Sequence, residues 1–203
     1  MEVFLLACVP LLCFYDTSLR SNCHRPRIIW YIGMKVFISY HRADTRYRRD
    51  AEKILLEHGI DYYAVPEDAD FNGKKNESIR NFTCNHVQKC DVLLCLIGNE
   101  TYSRPHVDRE IHTALKGNVG ERLGIIAVYL PTRNDSLNRA NFSTLSPKLL
   151  DNQNYVIWTN WCNLRQNIEK NIQKALDNAN NPKIQTNHSN PCLPIKSKIY
   201  YDN

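Results

Sequence analysis

At 203 residues, with 43% hydrophobic and 23% charged side chains, the chain has the make-up of one soluble globular domain with tails, which excludes a disordered or membrane-embedded protein. Its 26 basic and 21 acidic residues give a formal charge of +5. The basic residues are scattered apart from Arg42, Arg46, Arg48 and Arg49, which read as a solvated helix face, so no nucleic-acid partner is expected.

From Val3 to Tyr15 the chain is apolar enough for the core of a signal peptide, but Glu2 stands where a positive charge belongs and no A-x-A-like cleavage site follows. The run is too short to span a bilayer. Residues 16–33 have no readable period, and Met34 then opens a well-formed strand. The expectation is a non-native or poorly ordered extension over 1–33, upstream of a natural start at Met34, with a membrane anchor as the competing reading. Eight cysteines (Cys8, Cys13, Cys23, Cys84, Cys90, Cys95, Cys162 and Cys192) are unevenly spaced and form no C-x-x-C pair. Reduced thiols in a cytoplasmic protein without a metal site are expected.

A domain is expected over 34–179. Lys35-Val36-Phe37-Ile38-Ser39-Tyr40 reads as a first strand, followed by a loop ending in a helix N-cap at Asp44. Tyr47, Ala51, Ile54 and Leu55 recur on one helical face, and Gly59 is placed to stop that helix before a second strand over 60–65. Residues 66–75, rich in Pro, Asp, Asn and Gly, form a loop suited to serve as a lid or docking segment, and 76–87 is a weaker helix. The nearly continuous apolar run 91–97 predicts a central strand covered on both faces, with Cys95 as a small buried hydrophobe. After the loop 98–104, Pro105 suits the first position of a helix to about Lys116. Strands over 123–130 and 155–158 flank an irregular stretch, and a last helix covers 163–179, with Leu164, Ile168, Ile172, Ala175 and Leu176 on its inner face. An aperiodic tail follows over 180–203.

Strand and helix alternate about five times, which predicts an α/β, flavodoxin-like, five-stranded parallel sheet with helices on both faces. Ligands of such sheets bind beyond the carboxyl ends of the strands, where strand order reverses. That rule selects 39–44, the loop after Val65, and 98–110. On the helix from Pro105, Val107, Ile111, Ala114 and Leu115 share an apolar face, Arg109 points away, and Glu110 lies at the edge of the buried stripe. A carboxylate there can meet a ligand while shielded from water, or can be a boundary glutamate near a helix N-terminus. No G-x-S-x-G, G-x-G-x-x-G or P-loop pattern is present, and His41, His106 and His112 have no metal-ligand spacing.

The first strand, the run 91–98 and Thr101-Tyr102-Ser103-Arg104-Pro105-His106-Val107-Asp108-Arg109-Glu110-Ile111 together resemble the TIR-like family that includes the TIR protein of the bacterial Thoeris antiphage system. Residues 125–131 and 146–152 continue the resemblance in order. It implies a flavodoxin-like TIR fold and, in active members, hydrolase-type cleavage of NAD at the nicotinamide-ribose bond, giving a cyclic or modified ADP-ribose that signals to an effector protein. NAD is then a substrate, and no cofactor is implied. The family glutamate maps onto Glu110, which would hold the ribose hydroxyls and stabilise the oxocarbenium-like charge. Phe37, Ser39, Tyr40 and Ser103 would contact the substrate, with Arg104 near the phosphates. Where many TIR enzymes carry a large aromatic residue, this chain has Pro105-His106, so His106 either replaces the stacking surface or caps the helix.

Because the carboxyl edge that holds Glu110 is open on an isolated domain unless a loop or a second subunit closes it, self-association is expected, with activation by a phage-derived trigger and no membrane partner. Two other readings stay open: a non-enzymatic TIR interaction module, and an enzyme like the nucleoside deoxyribosyltransferases, which use a related sheet and a glutamate. A phosphoacceptor response regulator is disfavoured, because the first strand ends in Ser39-Tyr40 instead of an acidic pair.

Overall fold

Five parallel strands form one sheet in the order β2-β1-β3-β4-β5, comprising β1 (Lys35–Ser39), β2 (Asp61–Ala64), β3 (Val92–Ile97), β4 (Gly124–Tyr129) and β5 (Ile157–Asn160). This is the flavodoxin-like order, and its switch point lies between β1 and β3, whose crossovers leave in opposite directions. The computed structural model describes residues 33–65, 76–117, 121–133 and 142–194. The chain divides into two units, 1–30 and 31–203. The first unit, with the expectation for 1–33 up to residue 32, lies outside the described residues, as do the loop 66–75 and the end of the tail from 195.

Strand alternation sorts the core into two halves. Val36, Ile38, Val92, Leu94, Leu96, Ile126 and Val128 face α1 (Thr45–Glu57) and α5 (Trp161–Asn180). Phe37, Leu93, Cys95, Ile97, Ile125 and Ala127 face the other way, with α2 (Asn76–Val87), α3 (Pro105–Lys116) and α4 (Pro147–Asp151) on their side of the sheet. All six residues of β3 and all six of β4 are buried, which is why these two strands read as unbroken apolar runs. The expected apolar faces of α1 and α5 are observed, with Tyr47 and Leu176 partly buried at their margins.

The end of α1 shows how local sequence sets these units. Gly59 adopts φ +65°, the amide of Ile60 donates to the Leu55 carbonyl at 2.9 Å, and that of Gly59 donates to the Leu56 carbonyl at 3.0 Å. This pair of bonds stops a helix and turns the chain directly into β2.

Three elements differ from expectation. The fifth strand begins at Ile157, two residues late, because Tyr155 is a core anchor whose hydroxyl donates to the Leu123 carbonyl at 2.5 Å. A five-residue helix, α4, lies inside the stretch expected to be irregular. After α5, residues 181–194 contain no helix or strand, yet they are bonded along the domain: Arg122 donates to the carbonyls of Ala179, Asn181 and Ile184, and Asn152 exchanges two hydrogen bonds with the backbone of Asn187.

Candidate functional site

Ser39 is the last residue of β1 and pairs in register with Cys95 of β3. Both side chains point to the α3 side of the sheet. Glu110 comes in from α3 and accepts a short hydrogen bond from Ser39 Oγ through Oε2. The serine is 1% exposed, the glutamate 6% and the cysteine 0%. The three therefore form a polar kernel at the carboxyl edge of the sheet, beside the switch point.

Burial sets its electrostatics. Removing Glu110 from water pushes its carboxyl up to about 8, and the Ser39 hydrogen bond opposes this only in part. The Cys95 thiol is pushed up to about 12, first by burial and then by the neighbouring Glu110. The thiol is thus held protonated and inert, as a small hydrophobe would be.

The loops after β1 and β3 close over this edge. Gly98 donates its amide to Thr101 Oγ1 at 2.8 Å. His41 accepts from the Ala43 amide at 3.3 Å and caps the turn Arg42–Asp44. Burial, and then the Arg104 charge, push its ring down to about 4. His106 is lowered as well, first by burial and then by Arg109. Arg104 pairs with Glu100 one turn earlier. Arg104 Nε and Arg109 Nη1 are buried donors with no partner among the described residues, an unusual condition for guanidinium nitrogens.

The residues singled out in the sequence do not all converge here. Ser39 and Glu110 meet. Phe37, expected to line the pocket, is 0% exposed and stacks on Tyr63 with centroids 5.6 Å apart, so it is a core residue. It shares a face with Ser39 but lies two positions deeper along β1. Tyr40 emerges on the opposite face, where its hydroxyl donates to the Val65 carbonyl at 3.1 Å and the Arg48 guanidinium lies 5.5 Å from its ring. Ser103 is exposed and donates to the Glu100 carbonyl at 3.0 Å, within its own turn.

Asp44 does more than the N-cap expected of it. It occupies the N-cap position of α1, but its side chain makes no capping bond. The carboxylate instead accepts from Thr132 Oγ1 at 3.0 Å and presses on Gly98 so closely that a Cβ there would stand 2.0 Å from Oδ2. Asp44, 3% exposed, therefore ties together the loops that follow β1, β3 and β4, and burial raises its carboxyl above the usual range. The tripeptide Arg42-Ala43-Asp44 carries no signal of this, since only the fold brings Gly98 and Thr132 to it. Among the described residues no cluster of His, Cys, Asp or Glu could hold a metal ion, and no helix is long and apolar enough to cross a membrane.

Residues 37–135, just under half the chain, match the family described as Thoeris protein ThsB, TIR-like domain. That segment is similar to a TIR-like domain of the ThsB type. Similar solved structures include the TIR domain of the Toll-related receptor TRR-2 from Hydra magnipapillata, 14% identical, with a TM-score of 0.46 over 70% of this chain and 97% of that one. The TIR domains of the activated Roq1 resistosome, which directly recognizes the pathogen effector XopQ, are 15% identical, with a TM-score of 0.40 over 72% of this chain and 84% of that one. No curated protein matches the chain. The matched segment runs from β1 through β4, and so contains Ser39, Asp44, Cys95, Gly98 and Glu110.

Proposed function

We propose that this TIR-like domain consumes NAD, cleaving the bond between nicotinamide and ribose to leave a cyclic or otherwise modified ADP-ribose that signals to an effector in antiphage defence. The observation that carries the reading is the buried Ser39–Glu110 pair at the carboxyl edge of the sheet, where strand order switches. With its carboxyl raised to about 8, Glu110 is mostly protonated at neutral pH in the free protein. The pyridinium of NAD is a cation, and beside it the carboxyl ionises. The carboxylate then holds the ribose hydroxyls and faces the positive charge that develops at C1′ as the glycosidic bond breaks. The bonding electrons leave with nicotinamide, which departs neutral. Water captures the ribosyl cation to give ADP-ribose and a proton, or a nucleophile of the same molecule captures it to close a ring.

Ser39 orients the carboxyl through its hydroxyl. The Nε of Arg104, without a partner among the described residues, is a donor suited to the diphosphate, and His106, one turn before Glu110, would stack on or border the nicotinamide. The match to the Thoeris family supports both the substrate class and the defence setting. Incubating the full chain with NAD over a range of protein concentrations, with and without extract of phage-infected cells, tests this by mass spectrometry. Nicotinamide and an ADP-ribose product should appear together and increase with concentration or trigger.

One observation favours a second reading, a TIR module that acts by association. Ser39 and Glu110 satisfy each other without a ligand, as a structural pair would. Copies that associate in the same experiment and release no nicotinamide would establish that reading instead.

A further inference from the structure

Asp108 and Lys148 form an ion pair with side chains 4% and 2% exposed. Lys148 Nζ donates to both carboxylate oxygens, at 2.8 and 2.9 Å. Its third donor goes to the Pro191 carbonyl at 2.9 Å, and the Leu193 amide donates to Asp108 Oδ2 at 2.8 Å. A buried pair is tolerated only when its remaining donors and acceptors are satisfied. Here main-chain groups of the C-terminal segment complete it, 85 residues downstream of Asp108. The segment is tied down again upstream, where Asn152 and Asn187 exchange hydrogen bonds of 2.7 Å and Asn190 donates to Asp151 at 2.5 Å.

Asp108 lies two positions before Glu110 on α3, so the two side chains leave the helix about 200° apart. One side of this turn is held to the sheet by Ser39, and the other is held by Lys148 and the C-terminal segment. The apolar contacts of Val107, Ile111 and Ala114 bury the helix, but they are not directional and permit small slides and rotations. Hydrogen bonds to a buried carboxylate are directional, so they fix the turn in rotation and along its axis.

We propose that residues 191–193 are a positioning element for Glu110, acting through the Asp108–Lys148 pair. This rests on the reading of Glu110 as the group that acts on NAD. With the segment seated, α3 presents the Glu110 carboxyl to the switch point in one place. With it lifted, water reaches the ion pair and the turn loosens.

The test uses the full chain with Leu193→Pro, which removes the amide donor to Asp108, beside Leu193→Ala, which keeps it. Three readings are taken: amide hydrogen exchange over 105–116, titration of the Glu110 carboxyl by its ¹³C signal, and kcat and KM for NAD. Leu193→Pro should speed exchange in α3 at least tenfold, move the Glu110 midpoint toward the ordinary carboxyl range, and lower kcat at least tenfold with KM within twofold. Leu193→Ala should match the unmodified chain. Asn152→Ala, which unseats the segment from α4, should reproduce the Leu193→Pro changes, and it carries the test if Leu193→Pro does not fold.

Unchanged α3 exchange and Glu110 titration in the folded variants would overturn the proposal. So would an unchanged kcat in an active enzyme whose α3 has loosened, equal changes in Leu193→Ala, or failure of both Leu193→Pro and Asn152→Ala to fold. If exchange and titration move as expected but the intact chain releases no nicotinamide, the NAD reading fails and the positioning of Glu110 by this segment stands.

Discussion

Glu110→Gln should make the protein more stable, by an amount that depends on pH. The glutamine keeps the size of the side chain, and its amide oxygen can still accept from Ser39 Oγ, so the packing at the carboxyl edge is retained. What it removes is an acid whose folded-state value, about 8, lies far above its unfolded value of 4.5. Such a group binds its proton more tightly in the folded chain, so unfolding releases the proton and stability falls as pH rises from about 4.5 to about 8. Below that window Glu110 imposes no penalty, and above it the penalty is constant. At about 1.4 kcal/mol per pH unit, the loss is roughly 3 kcal/mol at pH 7 and roughly 5 kcal/mol on the plateau. Asp44 and every other titrating group are common to both proteins, so subtracting the variant's unfolding free energy from that of the unmodified chain isolates Glu110. Urea unfolding at intervals from pH 4.5 to pH 9 measures the difference. A difference that stays flat across this range would show that Glu110 is ionised and solvated in the folded protein, and would refute the buried kernel.

Phe37→Ala should cost roughly 3 to 5 kcal/mol in urea unfolding, because it empties a fully buried site beneath Tyr63; a loss under 1 kcal/mol would remove Phe37 from the core. Gly98→Ala should cost about 1 to 3 kcal/mol, since the new methyl must displace the Asp44 carboxylate; unchanged stability would show that Asp44 does not bind the three loops together. In the native protein an alkylating reagent should label Cys162, which is exposed, and spare Cys95, which is buried and held protonated; peptide mass mapping that finds equal labelling would contradict the site's packing.

The parts of this fold that could be read in the sequence are those whose order comes from their own pattern. The run 92–97 is buried on both faces and shows it by being wholly apolar, and Pro105 and Gly59 mark a helix start and a helix stop by their own backbone geometry. Residues 181–194 have no apolar period because backbone hydrogen bonds to Asp108, Asn152 and Arg122 order them, and α4 was obscured by a buried lysine that looks like a surface residue until Asp108 is beside it. The fifth strand is displaced because Tyr155 and Val156 look like strand residues while Asn160, which pairs with Tyr129 of β4, does not.

The candidate site divides in the same way. A helical wheel places Glu110 at the edge of the α3 stripe, but its depth depends on Ser39 and Cys95, which come from the two strands β1 and β3. Alternation puts Phe37 and Ser39 on one face without saying which of them reaches the surface, and Asp44 could be read only as a cap because its partners lie 54 and 88 residues away.

The central claim is that the buried carboxyl of Glu110 acts on NAD, and the most direct measurement is the initial rate of nicotinamide release by the full chain and by Glu110→Gln at saturating NAD. The comparison is made under triggering conditions, with both proteins shown to be folded by circular dichroism. The account predicts steady release by the unmodified chain and loss of at least a hundredfold in kcat in the variant, about 3 kcal/mol of transition-state stabilisation. Equal rates in the two proteins would contradict it.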